Sequence, residues 1–321
     1  TMSLADAEKA IPADVRMFSG CEDKQTSADV SNVHSFQLPD PAGRAGGALT
    51  SALLNITYAD EEDTGKDLTF KETLLAVREK LEGKGFEQIP QLSSSRPTNL
   101  DEKFSLIPED FSGKRRAVMI GINYIGDNPG ELRGCHYDVH NMKKYIMACH
   151  GFEEEDIVLL LDDGENIEPS AENIMNAFRK LASEAEPGDA LFVHYSGHGC
   201  SIRDDDGDEH DGKDEALCPR DYSTAGVLRD DDVFAMLVSP LPAGCRMTCI
   251  MDCCHSGSIL DLPYGFLADG QHEEMEADPE FDFGPFIALA AAGLEGLKQF
   301  HASRKDKRKA RRQRWARRFG M

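Results

Sequence analysis

No run of 18 apolar residues occurs in this 321-residue chain, so no membrane-crossing helix is expected. The opening Thr1-Met2-Ser3-Leu4-Ala5-Asp6 lacks the basic-then-apolar pattern of a signal peptide. The nine cysteines are odd in number and scattered, and do not form the pattern of a disulfide framework. Together these absences point to free thiols in a reducing, cytoplasmic setting. Internal repeats are also missing. Basic residues are scarce, with 35 Lys and Arg against 58 Asp and Glu and a formal net charge of -23. Residues 304–318 hold ten of those basic residues and one acid, leaving 25 basic against 57 acidic residues elsewhere, a net of -32. Such a body offers no broad face to a phosphate backbone, so nucleic acid is not an expected partner. It suits cationic partners, either metal ions or basic peptides. A hydrophobic content of 40% lies within the globular range and leaves room for a real core.

Along the chain, residues 1–13 read as a frayed lead-in. Alternation over Asp14–Gly20 predicts a strand, and the small apolar segment Ala45–Ile56 a helix. Phe70, Leu74, Val77 and Leu81 recur at helical spacing behind a Thr69 N-cap. Another strand is expected within 86–95, and 96–113, with Pro97, Pro108 and Gly113, reads as a linker between two halves. The second half alternates regularly. Strands are expected at 117–122, 157–161, 190–193 and 247–251, and helices at 136–150, 170–186 and 230–238. This alternation predicts an α/β fold with a mainly parallel sheet and helices on both faces. In such sheets the site lies beyond the carboxyl ends of the strands. Residues 268–283 read as an acidic loop and 285–300 as an apolar helix before the basic tail.

Two strand ends carry chemistry. Strand 190–193 runs into His194-Tyr195-Ser196-Gly197-His198-Gly199, and strand 247–251 into Asp252-Cys253-Cys254-His255-Ser256-Gly257. Neighbouring strand ends would bring an imidazole to a thiol, the arrangement for nucleophilic catalysis at a carbonyl. The Gly199 N–H and that of the cysteine would form an oxyanion hole. Taken singly, each motif reads more simply as a buried cysteine and a structural histidine. Zinc is a second reading of the His194, His198, Cys253, Cys254 and His255 set. It is disfavoured because adjacent cysteines point to opposite sides of an extended chain. Spacing alone does not choose between the two thiols.

Four segments in order, Ala117–Tyr124, Leu132–Val139, His194–Gly199 and Asp252–Ser258, resemble the large catalytic subunit of the metacaspases, in the caspase–hemoglobinase clan. Ser19–Val30 and Pro90–Ser95 resemble the small subunit, which here comes first. That order is similar to the type III metacaspases. The resemblance covers residues 14–267 and implies a small-subunit-like region at 14–95, a linker at 96–113 and a catalytic region at 114–267, with the acidic loop, helix and basic tail at 268–321 beyond it. It implies one sheet shared by both halves, and a monomer. It makes Cys254 the nucleophile and His198 the base of a cysteine endopeptidase, with Gly199 at the oxyanion hole. Cys253 keeps a structural or redox-sensitive place beside them.

The resemblance also implies cleavage after Arg or Lys, in an acidic pocket formed by Asp138, Ser196 and Asp252 and lined by Cys135. A carboxylate pair suits a guanidinium. An isolated Asp138 would read as a first-turn helix acid. The acidic run 204–215 is not an EF-hand, because Gly207 at the turn would require an acid at 202, which is Ile. Calcium is instead implied at Asp214, Asp230, Asp231 and Asp261, although Asp230 and Asp231 also read as helix-start acids. Two other functions stand beside this one: a non-catalytic calcium-binding scaffold or stress chaperone, and a caspase-type protease of Asp specificity, which Asp138 and Asp252 oppose. The basic tail 304–318 reads as a solubilising or self-cleaved segment first, as an intramolecular docking segment second, and as a nucleic-acid contact third.

Overall fold

Period-two burial builds the centre of the molecule. In the strand Arg115–Gly121, Ala117 and Met119 face one apolar cluster while Val118 and Ile120 face another. A computed structural model describes residues 9, 11–20, 29–30, 46–58, 67–86, 88–107, 111–127, 130–203, 213–253 and 259–277. In chain order the strands are β1 (Asp14–Ser19), β2 (Asp29–Val30), β3 (Gly46–Gly47), β4 (Gln91–Ser94), β5 (Arg115–Gly121), β6 (Ile157–Leu161) and β7 (Ala190–Ser196). They continue as β8 (Gly199–Arg203), β9 (Lys213–Leu217), β10 (Leu228–Arg229), β11 (Arg246–Asp252), β12 (Tyr264–Leu267) and β13 (Glu276–Ala277). The helices are α1 (Ala48–Thr57), α2 (Phe70–Glu82), α3 (Cys135–His150), α4 (Ala171–Ser183) and two single turns, α5 (Tyr222–Ala225) and α6 (Asp230–Val233).

Eight strands form one sheet in the order β13-β12-β4-β1-β11-β7-β5-β6. From β1 to β6 the neighbours run parallel, and β4, β12 and β13 add antiparallel pairs at the other edge. The result is the expected α/β architecture. Both β1 and β4 precede the 96–113 segment, so the sheet joins the two halves of the chain. Helices α1, α2 and α3 cover one face, and α4 with the 230–238 segment covers the other. Local sequence explains the helices. Thr69 and Glu72 form a reciprocal capping box at the start of α2, whose Phe70, Leu74, Val77 and Leu81 are buried. Ser170 caps α4 through Asn173 N–H. The left-handed Gly151 ends α3.

Several expectations need correction. The lead-in is not frayed at its end, where Ile11 and Ala13 are fully buried. Strand β7 runs three residues beyond Val193, because His194 and Ser196 continue its pairing with β11. The 230–238 helix divides into α6 and a wider i→i+5 turn over Phe234–Val238. The end of the acidic run 204–215 enters a strand. Lys213–Leu217 is the middle strand of a small sheet ordered β10-β9-β8, with Asp214 and Glu215 buried. The helix expected at 285–300 and the tail at 304–318 lie outside the described residues. Among the described residues no helix is long and apolar enough to cross a membrane.

Candidate active site

Strands β5, β7 and β11 end level, with Gly121 opposite Ser196 and Ser196 opposite Asp252. The sequence-marked side chains therefore gather at one carboxyl edge, where parallel sheets place ligands.

His198 stands two residues past β7. Its Nε2 lies 2.7 Å from the carbonyl oxygen of Gly130. A carbonyl only accepts, so Nε2 carries the proton and Nδ1 is the basic nitrogen of the neutral ring. The Tyr124 ring packs 4.6 Å from the imidazole, and the Tyr124 hydroxyl accepts the His198 N–H at 3.0 Å. Gly199 opens β8 opposite Leu217. Cys254 and His255 lie outside the described residues. Cys253, just before them, is buried in the apolar cluster on the α4 side of the sheet. His194 points to the opposite face, where its Nε2 meets Thr50 Oγ1 at 3.2 Å. Burial pushes His194 down to about 3, so its ring is neutral. Its other ring nitrogen, Nδ1, is buried without a hydrogen-bond partner among the described residues. The opposed directions of His194 and Cys253 do not form a zinc cage.

Asp138 sits in the first turn of α3, as its helix-acid reading expects, but its carboxylate reaches away from that helix. Its Oδ2 accepts from Ser196 Oγ at 2.5 Å and from Gly47 N–H at 2.7 Å. Asp252 Oδ2 accepts from Thr50 N–H at 2.7 Å. Both acids are nearly buried, at 2% and 4% exposure. Helix α1 has no side-chain cap of its own. Its first turn is capped from a distance by these two carboxylates, which also meet the positive end of its dipole. Gly47 lies so close that a Cβ there would fall 2.2 Å from Asp252 Oδ2. Asp138, Ser196 and Asp252 are thus brought together. Cys135, the first residue of α3, is buried three positions before Asp138.

Carboxylate oxygens of Asp214, Asp230 and Asp231 lie within 4.8 Å of one another, the one grouping among the described residues able to hold a metal. Asp214 Oδ2 pairs with Arg229, while its Oδ1 is buried without a hydrogen-bond partner among the described residues. Asp230 accepts from the N–H groups of Glu215 and Asp231, each at 2.7 Å. The all-oxygen set and the orphaned Oδ1 fit a hard cation. Asp261 does not join the group and stands in a loop with a left-handed φ of 44°.

Sequence reasoning missed the residues that hold these groups in place: Gly47 just before α1 and Thr50 in its first turn, Gly130 and Tyr124 on the loop after β5, and Tyr195 inside β7. Asp162 moors that loop, accepting from Asn123 N–H at 2.8 Å and Ile125 N–H at 3.1 Å. Tyr124 and Tyr195 fall inside the recognised motifs, but nothing in the spacing marks a phenol as a backbone clamp.

Comparison with known proteins fits this geometry. Residues 115–263 match the metacaspase, peptidase C14 domain, and residues 3–101 match the caspase domain. The chain is 55% identical over 276 residues to Metacaspase III c of Phaeodactylum tricornutum, covering 86% of this chain and 82% of that one. It is 46% identical to Metacaspase-1 of Cryptococcus neoformans over 58% of this chain, and 46% identical to Metacaspase-1A of Neurospora crassa over 57%. In both fungal proteins the match spans 40% of their length. A caspase-type sheet shared by both halves, a histidine at its carboxyl edge and a 55% identical relative matched over most of its length place this chain in the metacaspase family of cysteine-type peptidases.

Proposed function

We propose that this protein is a cysteine endopeptidase that cleaves after Arg or Lys through His198 and Cys254. The observation that carries the specificity is the buried pair Asp138 and Asp252, gathered with Ser196 at the level ends of β7 and β11. Two carboxylates in a low-dielectric setting favour a cationic side chain, and a planar guanidinium most of all. The same pair would repel an Asp side chain.

In the reaction, His198 Nδ1 takes the Cys254 thiol proton while Gly130 holds Nε2–H. The thiolate attacks the carbonyl carbon of the Arg or Lys residue itself, and the amine of the next residue leaves. The N–H groups of Gly199 and Cys254 stabilise the oxyanion, and His198 returns the proton to the leaving amine. Water then hydrolyses the thioester. Asp138, Ser196 and Asp252 orient the basic side chain, with Cys135 in the same wall.

Calcium fits at Asp214, Asp230 and Asp231. Bound there, it would relieve the repulsion of three close acids and tie β9 to the start of α6. Strand β9 pairs with β8, which begins directly after His198, so order in this small sheet reaches the base. The sequence also names Asp261, which a loop movement would have to bring to the group. The basic segment 304–318 is a candidate substrate of the same pocket.

The test is a matched set of fluorogenic peptides ending in Arg, Lys or Asp, assayed on wild type and Cys254→Ala with calcium or chelator. Turnover of the Arg and Lys members by wild type alone is expected, with a calcium-induced rise in melting temperature that Asp230→Asn removes. Turnover of the Asp peptide, or of none, refutes the specificity. An equal melting temperature in calcium and chelator refutes the metal assignment.

A further inference from the structure

The mechanism uses the His198 ring, but the most elaborate packing lies behind its backbone. Two phenols converge there. Tyr124 Oη lies 2.6 Å from the Cys218 carbonyl, to which it donates, and accepts the His198 N–H at 3.0 Å. Tyr195 Oη lies 2.8 Å from the His198 carbonyl and 3.1 Å from that of Cys218. The two hydroxyls are 3.4 Å apart. Cys218 N–H also donates to the His198 carbonyl, at 3.1 Å. Both rings are fully buried. Desolvation raises the pKa of each phenol, so both stay protonated through the working pH range.

Two further observations show that the arrangement is specifically built. Tyr124 has φ of 52°, a left-handed conformation that a bulky residue keeps only where its surroundings hold it, and such strain gathers at functional positions. Gly197, between Ser196 and His198, is hemmed in by the same two hydroxyls. A Cβ there would lie 3.0 Å from Tyr195 Oη and 3.2 Å from Tyr124 Oη. The loop carrying Tyr124 also carries Gly130. It therefore grips His198 at Nε2, across the ring face and at the backbone N–H. Arg220 pins that loop through Asp127 and the Ile125 carbonyl, each at 2.9 Å.

We propose that Tyr124 is a positioning residue for the base, and that with Tyr195 it clamps the His198 peptide from its N–H and C=O sides. The clamp fixes the ring so that Nδ1 meets the nucleophile. This rests on His198 being the base. A ring held loosely would pair less well with the thiolate, and proton transfer is sensitive to such misplacement.

The test uses Tyr124→Phe, which keeps the ring and removes the hydroxyl, with Tyr195→Phe in parallel. Two assays are run on the full chain: kcat and KM on an Arg-ending peptide, and the pH midpoint for alkylation of Cys254 by iodoacetamide. For Tyr124→Phe, kcat should fall about 10- to 100-fold with KM within about twofold. The alkylation midpoint should move up toward that of His198→Ala. Tyr195→Phe should shift both in the same direction, and it decides the matter if Tyr124→Phe does not fold. Wild-type kcat and midpoint in the folded variants would overturn the clamp while leaving the base in place. Wild-type turnover by His198→Ala would instead remove the base, and the clamp with it.

Discussion

Gly47→Ala tests the junction between α1 and the buried acids Asp138 and Asp252 with a single methyl group. Gly47 has φ −66° and ψ 142°, a conformation open to any residue, so backbone strain adds nothing. By restricting the unfolded chain, Ala should even stabilise by about 0.4–1 kcal/mol. The contacts oppose this strongly. The new Cβ would lie 2.2 Å from Asp252 Oδ2, 2.4 Å from its Cγ and 2.9 Å from Oδ1. Asp252 is a short side chain, 4% exposed, and it cannot swing clear. Either it or the start of α1 must move by about 1 Å to restore an ordinary van der Waals contact. That shift strains Gly47 N–H to Asp138 and Thr50 N–H to Asp252, both 2.7 Å. Hydrogen bonds to charged groups contribute about 1.5–3 kcal/mol each, so losing both costs about 3–6 kcal/mol. After the entropic offset the net loss is about 2–5 kcal/mol. Urea unfolding at pH 7 reads it, with Gly265→Ala as control because a Cβ there meets nothing within 4 Å. The control should stay within about 0.5 kcal/mol of wild type. Turnover of an Arg-ending peptide should fall along with the stability of Gly47→Ala. A Gly47→Ala protein as stable as the control, with wild-type turnover, would refute the capping of α1 by the Asp138 and Asp252 carboxylates.

Two other outcomes follow from the geometry. Burial holds His194 down to about 3 and His150 to about 4, whereas in the unfolded chain both titrate near about 6.5. The unfolded chain therefore binds more protons below that value. This contribution is complete above about pH 6.5 and is lost as pH falls toward the folded values, by at most about 1.4 kcal/mol per pH unit for each ring. His194→Gln, which can keep the contact to Thr50, should flatten the pH dependence of the urea midpoint between pH 6.5 and 4.5 by about one proton; an unchanged slope would contradict the buried neutral ring. Thr69→Ala removes half of the capping box of α2 and should cost about 1 kcal/mol in urea unfolding, and no loss would mean that packing of Phe70, Leu74, Val77 and Leu81 alone sets the start of that helix.

Elements whose local pattern agrees with their tertiary place were legible in the sequence. The strand at 157–161 is found at the expected residues, and α2 begins where Thr69 predicts. The α3 and α4 helices lie within a few residues of expectation. Elements made by distant partners were not legible. Strand β9 carries Asp214 and Glu215 in an acid-rich segment of low strand propensity. It forms because β8 and β10 flank it and Arg229 pairs with Asp214. The site divides in the same way. His198, Ser196 and Asp252 were legible in motifs at strand ends, and Asp138 in a motif at a helix start, each marked by the family resemblance. Their supports were not, because Gly47 N–H reaches Asp138 across 91 positions and Thr50 N–H reaches Asp252 across 202. Backbone donors leave no trace in side-chain spacing. The conversion of Gly130 into the acceptor for Nε2 and of Tyr124 into a clamp depends on how the loop after β5 folds over β7, which no local periodicity encodes.

The most direct measurement of the central claim is peptide mapping by mass spectrometry after incubation with a thiol-reactive peptide ketone ending in Arg, beside its Asp-ending counterpart. A single adduct on Cys254 from the Arg probe, absent with the Asp probe and strongly slowed in His198→Ala, is the predicted result. An adduct on Cys253, or equal labelling by the Asp probe, would contradict the assignment.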